Sequence, residues 1–281
     1  INEIRELPQV IGGYDEKSRL MAEQLFRELT HTIIDVESLE SAEMVKIMNN
    51  TFREVKFGYT NEMALICKEL GLDMVKLANA ANMGYSRDKI PMPSPGVGGT
   101  CLSKDSYILS YSARDIKTQP TISMQSRKLN EYIPRDIVAE IMMELKTIRK
   151  NVDQIKVFIV GFAFKGQPET SDTRGSTTLD ILHIIREKNV GKNFIFGYDP
   201  IVSSAVIESF NVKCVSLQEG FKEADVVIIM NNHKSYQRID IFTLLESSKT
   251  DCIFVDCWHL FEPNDVSKIN KIKYIGVGCK Y

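Results

Sequence analysis

The sequence predicts an α/β protein in which a region of long helices separates two segments that alternate strands with helices. Its 281 residues exceed the usual size of one domain, and 43% of them are hydrophobic, which is enough for more than one core. Continuous apolar runs, typical of buried parallel strands, occur near both ends of the chain. We therefore predict three regions, over residues 1–37, 38–151 and 152–281.

The first region has the pattern of a single strand–helix–strand unit. We predict a strand over 10–13, an amphipathic helix over 16–29 and a strand over 32–36. One such unit cannot cover both faces of a sheet. We therefore expect residues 1–37 to be the last unit of a larger α/β domain whose beginning is absent from this sequence.

The second region begins with an unbroken helical pattern over 38–70. Ser38 and Ser41 are both suitable N-caps, and Gly71 stands where such a helix would end. Apolar residues recur at spacings of three and four, which predicts one buried stripe on a helix that forms the spine of a domain or a dimer. The stripe consists of Met44, Ile47, Met48, Phe52, Val55, Tyr59, Met63, Ile66 and Leu70.

Three further helices complete the second region. They are predicted over 73–81, 104–114 and 121–148. Pro134 lies inside the last of them, and because proline lacks a backbone N–H we expect it to kink or divide that helix. The polar stretch over 150–153 is the natural boundary of the region.

The third region predicts a second α/β domain built on a doubly wound parallel sheet. Its apolar runs alternate with helical segments, so the strands should be parallel and buried on both faces. Ligands of such sheets bind beyond the carboxyl ends of the strands. The predicted strands cover residues 157–161, 193–198, 224–230, 253–256 and 273–277, and a helix covers 177–187.

Charge and cysteine usage argue against several functions. The formal net charge is −2, from 35 basic and 37 acidic residues, so we expect no general attraction to nucleic acid or to an anionic membrane. The six cysteines and four histidines do not cluster, which argues against a metal site. With no secretory signal and no apolar run of about 20 residues, we expect free thiols in the cytoplasm.

Cys101 lies in a glycine-rich turn, Gly96-Val97-Gly98-Gly99-Thr100-Cys101, directly before a predicted helix. Glycines leave the backbone uncrowded, so a ligand could reach the thiol. A thiol attacks only as the thiolate, which a helix N-terminus or a cation such as Lys104 favours. Cys101 is therefore either a nucleophile or an ordinary small residue buried in a tight turn.

The first strand-to-helix turn of the third region runs from Gly161 to Ser176. It lacks the Gly-x-Gly-x-x-Gly pattern, and its length would misplace the pyrophosphate of a dinucleotide. Lys165 and Arg174, with backbone amides at a helix N-terminus, suit a nucleotide diphosphate instead. The alternative is a surface loop whose charges are solvated.

Three segments in this order resemble one family. They are residues 42–52, the glycine turn with Lys104-Asp105, and residues 161–165 with Asp172-Thr173-Arg174. Together they resemble the UDP-glucose/GDP-mannose dehydrogenase family, the nucleotide-sugar 6-dehydrogenases, over nearly the whole chain. The resemblance implies a central helical dimerisation domain and a C-terminal Rossmann-like domain that binds the UDP-sugar.

The resemblance also implies a reaction, the four-electron oxidation of the C6 alcohol of a UDP-sugar to a carboxylate with two molecules of NAD. Cys101 would hold the intermediate as a thiohemiacetal and then as a thioester. Lys46 and Asn50, four residues apart on one helix, would stabilise the oxyanion, and Asp105 would handle the hydrolytic water. Without the resemblance, Lys46 and Asn50 would be ordinary helix residues.

Substrate binding is implied at further positions. Arg174 either contacts the ligand or forms an internal ion pair with Asp172. Arg87 lies near the position of a family arginine that crosses a dimer interface to the ligand, so a homodimer through the long helix is implied. The implied substrate-binding residues are Phe164, Lys165, Arg87, Gly98, Gly99 and Arg174.

The chain departs from the family at its N-terminus, because only residues 10–36 match the NAD-binding domain. We therefore expect this chain alone to bind NAD poorly and to be inactive. Residues 230–236 and the prolines before the glycine turn favour UDP-N-acetyl-D-mannosamine, while UDP-N-acetylglucosamine and UDP-glucose stay open. His233 in this segment is either a ligand contact or a cap in a loop.

Two other functions are alternatives. A non-catalytic UDP-sugar-binding or dimerisation module would have no need of Lys46, Asn50, Cys101 and Asp105 together. A short-chain or hydroxyacid dehydrogenase with NAD in the third region lacks the glycine fingerprint it would require.

Overall fold

The computed structural model describes residues 2–148, 151–269 and 272–279 and divides the chain into two compact units. Unit 1 consists of Ile1–Arg53 and Asp105–Pro120, and unit 2 of Glu54–Lys104 and Thr121–Tyr281. The predicted fold class, α/β with long central helices and a parallel sheet, is confirmed. The three-region division stays a prediction.

Unit 1 begins with the predicted strand–helix–strand arrangement. Its elements are α1 (Asn2–Glu6), β1 (Gln9–Gly13), α2 (Glu16–Arg27) and β2 (Ile33–Ser38). Strands β1 and β2 pair in parallel. The Asp15 carboxylate caps α2 by accepting from the Ser18 backbone N–H at 2.7 Å, as expected of an acidic residue at an N-cap.

Helix α3 (Leu39–Glu69) is a single helix of 31 residues, close to the predicted bounds. Its cap is Ser38, whose Oγ accepts from the Ser41 backbone N–H at 3.1 Å. The predicted burial of its apolar stripe is wrong, because six of the nine residues are exposed. They are Met44, Met48, Phe52, Tyr59, Ile66 and Leu70.

Small and polar residues form the buried face of α3 instead. Within unit 2 this face carries Glu54, Gly58, Asn61 and Ala64. A Cβ on Gly58 would lie 2.6 Å from the Cβ of Ser126, so glycine allows a close helix approach that a bulky residue would prevent. Apolar periodicity alone therefore did not identify the face of α3 that is buried within the single chain.

The remaining helices of the central region are α4 (Met74–Asn82), α5 (Leu102–Ser112) and α6 (Thr121–Thr147). Pro134 does not divide α6, which continues through it. Proline cannot donate to the carbonyl of Asn130, one turn earlier. Gly96 approaches that carbonyl closely, since a Cβ there would lie 2.5 Å from the Asn130 oxygen.

The C-terminal part of unit 2 is a six-stranded parallel sheet. In the order of the sheet its strands are β5-β4-β3-β6-β7-β8, which is the doubly wound order with a switch point between β3 and β6. Buried apolar side chains cover both faces. The elements are β3 (Val157–Val160), α7 (Thr177–Glu187), β4 (Ile195–Tyr198), α8 (Ser204–Ser209), β5 (Lys213–Cys214), α9 (Leu217–Phe221), β6 (Val226–Ile229), α10 (Ile241–Glu246), β7 (Ile253–Asp256), α11 (Pro263–Val266) and β8 (Lys273–Gly276).

The turn after β7 buries two titratable side chains. Asp256 accepts from the backbone N–H groups of Trp258 and Phe261 at 3.2 and 2.9 Å, and burial raises its pKa to about 6. Burial lowers the pKa of His259 to about 4, and its Nε2 atom has no partner among the described residues. His259 is therefore neutral in the folded protein near pH 6.

This neutral histidine predicts a pH-dependent stability. The unfolded chain protonates His259 near its ordinary pKa of 6.5, so the contribution of His259 to the free energy of unfolding should be lost as pH drops from about 6.5 towards 4. The raised pKa of Asp256 acts in the opposite direction over much of this range, so wild type and His259→Asn are compared at each pH. The contribution of His259 reaches about 3 kcal/mol, at roughly 1.4 kcal/mol per pKa unit. Urea unfolding of wild type and His259→Asn at several pH values measures it. Equal pH slopes for the two proteins would contradict the assignment.

Candidate active site

Cys101 lies at an exposed turn in unit 2, immediately before α5 begins at Leu102. The Gly99 carbonyl accepts from the Ser103 backbone N–H at 3.1 Å and from the Ser103 hydroxyl at 2.8 Å, which ties the turn to the start of the helix. The side chain is therefore not the buried residue of the alternative interpretation. An exposed thiol beside a helix N-terminus can act as a nucleophile.

The glycines of this turn are required by a close approach to the loop that follows β3. Gly98 lies so near that a Cβ on it would be 2.6 Å from the Gly175 carbonyl oxygen. Gly99 has φ +94° and donates its N–H to the same carbonyl at 2.9 Å. A Cβ on Gly99 would lie 2.8 Å from the Phe164 ring. The structure thus brings the glycine turn and the Phe164 loop together.

Lys165 lies beside Phe164 in that loop. Its Nζ atom is 5.3 Å from the centroid of the Phe164 ring, a cation–π contact. Lys165 forms no ion pair with any residue that the structure describes. A half-buried ammonium group without a carboxylate partner is suited to an anionic ligand.

Arg174 forms the internal ion pair that the sequence left as one of two alternatives. Its Nε and Nη2 atoms donate to the two Asp172 carboxylate oxygens at 2.9 and 2.7 Å. These hydrogen bonds hold the pKa of Asp172 at about 2. The same pair raises the pKa of Arg174, to which Cys101 adds a smaller electrostatic effect. Because 74% of the Arg174 side chain stays exposed, the pair leaves it accessible to a ligand.

Unit 1 contains the other cluster of predicted catalytic residues. Asp105, in the first turn of α5, is 2% exposed, and its Oδ2 accepts from Asn50 Nδ2 at 2.5 Å. Lys46 Nζ lies 3.3 Å from the same oxygen, and 58% of its side chain is exposed. Lys46 and Asn50 do share one helix face, and both converge on one carboxylate oxygen.

The predicted residues therefore fall into separate groups. Cys101 belongs to unit 2 with Phe164, Lys165 and Arg174, whereas Lys46, Asn50 and Asp105 belong to unit 1. Arg87 lies in the exposed segment after α4, where its guanidinium is 5.5 Å from the centroid of the Tyr85 ring. No contact within the described part of the chain joins Arg87 to the glycine turn.

Asp199 occupies the place where a dinucleotide fold binds pyrophosphate. Its carboxylate accepts from the backbone N–H groups of Phe162 and Ala163, at 2.7 and 3.1 Å, in the first turn after β3. It also accepts from Ile201 and Val202 at 2.8 and 3.0 Å. A carboxylate at these amides repels a phosphate. The sheet of unit 2 thus does not fit NAD in the usual position, which agrees with the missing glycine fingerprint.

His233 is a cap, one of the two roles that the sequence left open. Its Nδ1 accepts from the Ser235 backbone N–H at 3.2 Å at the start of a 3-10 helix, Lys234–Arg238. Its Nε2 lies 3.2 Å from the Glu169 carboxylate in the loop after β3. The histidine thus joins two loops at the carboxyl ends of neighbouring strands.

Sequence reasoning missed a buried polar network around the glycine turn. It consists of Glu54, Asn61, Ser94, Arg127 and Asn130, each at most 4% exposed. The sequence signal for this network was the polar residues on the face of the helix that meets its neighbour. The apolar stripe on the other face predicts burial of that face instead, so the network was not predicted.

The described residues contain neither a candidate metal-binding cluster nor a helix that could span a membrane. No group of three or more histidine, cysteine, aspartate or glutamate side chains in residues 2–148, 151–269 and 272–279 could hold a metal ion. Over the same ranges, no helix has both the length and the apolar character needed to cross a membrane.

Family models of known proteins match two parts of the chain. Residues 40–132 match the central domain of the UDP-glucose/GDP-mannose dehydrogenase family, and residues 158–263 match the UDP binding domain of that family. Together the two matches cover more than half of the chain.

Individual relatives extend these matches. The chain is 30% identical to a UDP-N-acetyl-D-mannosamine dehydrogenase of Methanococcus vannielii, over 99% of this chain and 62% of that protein. It is 32% identical to a protein of the same name from Methanocaldococcus jannaschii, over 85% of this chain and 52% of that protein. The chain therefore spans about three fifths or less of the length of these relatives.

Solved structures show the same fold. The UDP-D-ManNAc dehydrogenase of Pyrococcus horikoshii has a TM-score of 0.83 and 28% identity, over 99% of this chain and 61% of that one. An NDP-N-acetyl-D-galactosaminuronic acid dehydrogenase of Methanosarcina mazei has a TM-score of 0.85 at 23% identity, over 99% of this chain and 59% of that one, which supports the fold alone.

The contact between Gly99 and Phe164 predicts the result of a substitution. Gly99→Ala should lower the free energy of unfolding by about 2–3 kcal/mol, because it adds an unfavourable φ and an overlap with the ring. Gly84→Ala is the matched control, since Gly84 has φ +71° but no atom within 4 Å of its Cβ position. It should cost only about 1 kcal/mol. Equal losses in urea unfolding would show that the ring contact is unimportant.

Proposed function

Because the chain belongs to the UDP-glucose/GDP-mannose dehydrogenase family, we propose that its protein oxidises the C6 hydroxyl of a UDP-sugar to a carboxylate. The chain described here would supply the UDP-sugar site and the cysteine nucleophile. The observation that carries this proposal is the contact of the turn before the exposed Cys101 with the loop that holds Lys165.

Binding of the UDP-sugar is assigned to residues of unit 2. Lys165 forms no ion pair within the described residues, so its ammonium group can serve the anionic ligand. Arg174 presents an exposed guanidinium in the same loop. Gly98 and Gly99 keep side chains away from the turn, and Phe164 supplies an apolar surface. The match of residues 158–263 to a UDP binding domain supports this assignment.

The covalent chemistry is assigned to Cys101. Its thiolate adds to the C6 aldehyde to give a thiohemiacetal, which loses a hydride and a proton to become a thioester. Water then attacks the thioester carbonyl, the carbon–sulfur bond breaks, and the carboxylate and the thiol are released. NAD, the cofactor that the family generally uses, would accept the hydrides of both oxidations when bound.

Three residues of unit 1 are assigned to charge and proton handling. Lys46 and Asn50 are a cation and an amide donor on one helix face, as required to stabilise an oxyanion. Asp105, the carboxylate they contact, would accept the proton of the hydrolytic water. Its burial among hydrogen-bond donors keeps the carboxylate in a fixed position.

NAD is not expected to bind well to the 281-residue chain. The amides after β3 are taken by Asp199. At the carboxyl ends of β1 and β2 the lining carboxylates outnumber the one lining cation, Arg19, which is paired with Asp35. The described residues therefore do not fit the pyrophosphate, and we expect this chain alone to be inactive in oxidation.

UDP-N-acetyl-D-mannosamine is the proposed substrate, because relatives at 30% and 32% identity carry that name. UDP-N-acetylglucosamine and UDP-glucose are the competing substrates. None of the six cysteines, which all lie within the described residues, forms a disulfide bond. This supports a reducing compartment, and we propose the cytoplasm.

A homodimer through α3 is the proposed assembly. Large apolar side chains are exposed along α3 and at the residue directly after it, at the spacing of a helix–helix seam. They are Met44, Met48, Phe52, Tyr59, Ile66 and Leu70. A second copy of the same helix would cover them. In the dimer, Arg87 would contact the ligand of the partner copy.

The UDP-sugar assignment predicts a binding experiment. Calorimetric titration of the chain with UDP-N-acetylmannosamine should show binding without NAD, and Lys165→Ala should weaken it about tenfold by removing a charge-assisted contact. Lys192→Ala, at another exposed site of unit 2, should bind as wild type does. Binding of NAD but of no UDP compound would overturn the assignment, and the preferred sugar would decide among the three substrates.

The dimer assignment predicts the effect of one added charge. Phe52→Glu should convert the dimer to a monomer in sedimentation velocity, because a carboxylate would be buried in the seam. Met83→Glu, at an apolar residue that is 82% exposed and lies outside α3, should remain dimeric. A wild-type chain that sediments as a monomer at high concentration would refute this assembly.

A further inference from the structure

We propose that Arg127, on α6, is a positioning residue that fixes the glycine turn and thereby the sulfur of Cys101. The inference rests on the proposed function in one respect, that Cys101 is the nucleophile. Among the described residues, Arg127 has no hydrogen bond or ion pair with Cys101 or with any residue assigned to the ligand. It acts through the backbone of the turn, at Val97.

Arg127 is a buried cation that donates a hydrogen bond to this backbone. It is 4% exposed, and its Nη1 donates to the Val97 carbonyl oxygen at 3.1 Å. The same nitrogen lies 3.2 Å from Glu54 Oε1, and Nε donates to Glu131 at 3.0 Å. A hydrogen bond from a charged donor is stronger than one from a neutral donor, so Val97 is held firmly.

A second arm of the network holds the backbone just before the glycine turn, at Ser94. Asn61 Oδ1 accepts from the Ser94 backbone N–H at 3.0 Å, and Asn61 Nδ2 donates to Asn130 Oδ1 at 3.0 Å. Asn130 Nδ2 in turn donates to Glu54 Oε1 at 2.8 Å. Glu54 therefore connects both arms, and the backbone before Cys101 is fixed at Ser94 and at Val97.

The geometry requires arginine at position 127. The fork of the guanidinium reaches Val97, Glu54 and Glu131 from two different nitrogens, whereas a lysine has only one nitrogen to offer. Burial raises the pKa of Glu54, and the charge of Arg127 opposes that rise. Removal of the guanidinium would thus release the Val97 carbonyl and leave Glu54 without its cation.

Thiol alkylation tests the inference without any sugar nucleotide or cofactor. The rate at which iodoacetamide modifies Cys101 is measured by peptide mass spectrometry in the folded 281-residue chain. Cys214, which is partly exposed on β5, is the internal reference. The variants are Arg127→Lys and Arg127→Ala, the latter also with added guanidinium at a non-denaturing concentration.

Lys68→Met is the matched control. Lys68 is another cation between α3 and α6, 11% exposed and paired with Asp136 and Glu140, but it makes no contact with the glycine turn among the described residues. Loss of either cluster should lower stability in urea unfolding. Only loss of the Arg127 cluster should change the alkylation rate of Cys101.

We expect the ratio of the Cys101 rate to the Cys214 rate to fall about fivefold in both Arg127 variants, because a loose turn holds the sulfur at the helix N-terminus for less time. Guanidinium should restore the ratio in Arg127→Ala. An unchanged ratio in folded Arg127→Lys, or an equal fall in Lys68→Met, would overturn the inference. If the ratio falls but no UDP-sugar binds, the positioning role stands and the proposed function fails.

Discussion

The close approach of the glycine turn to the loop after β3 is the constraint on which the chemistry of unit 2 depends. Gly99 donates to the Gly175 carbonyl and leaves no room for a Cβ against Phe164. The turn carries the thiol, and the loop carries the cations Lys165 and Arg174. Because backbone meets backbone at this contact, any side chain on Gly98 or Gly99 would separate Cys101, the proposed nucleophile, from the charged groups proposed to hold its substrate.

Buried polar side chains on α3 and α6 hold the backbone that makes this contact. The buried face of α3 in unit 2 presents Glu54, which pairs with Arg127 on α6, and Asn61, which accepts directly from the Ser94 backbone N–H. The bulky apolar residues of α3 stay exposed. Buried charges cost desolvation and are weak evidence for stability by themselves. Their value here is orientation, since Arg127 and Asn61 each hold one backbone group of the turn. The exposed apolar face is then available for a second copy of the helix.

Much of the fold could be predicted from the sequence, because long apolar runs and glycine or serine boundaries report local structure directly. Helix α3 and the strands β3, β6 and β7 were predicted this way, within a few residues at their ends. The two-residue strand β5 and the short helices near it were missed, because segments this short are too brief to show a hydrophobic periodicity. Helix α6 continues through Pro134, so the proline alone did not predict a helix boundary.

The candidate site was only partly predictable, for a different reason. Cys101 and Lys165 are candidates from their local sequence, and Lys46 and Asn50 are candidates only through the family resemblance. The contacts of Arg127, Glu54 and Asp199 join residues far apart in the chain, which the sequence does not report. Hydrophobic periodicity identified the apolar face of α3 but not what covers it. A stripe that a partner covers and a stripe that the core covers have the same sequence pattern.

The central claim is that a UDP-sugar binds beside Cys101. It is tested most directly by measuring the alkylation of Cys101 in the presence of UDP-N-acetylmannosamine at a concentration that saturates the chain by calorimetry. The account predicts that the bound sugar slows modification of Cys101 at least about tenfold while Cys214 reacts at its former rate. An unchanged Cys101 rate at saturation would place the ligand elsewhere and contradict the account.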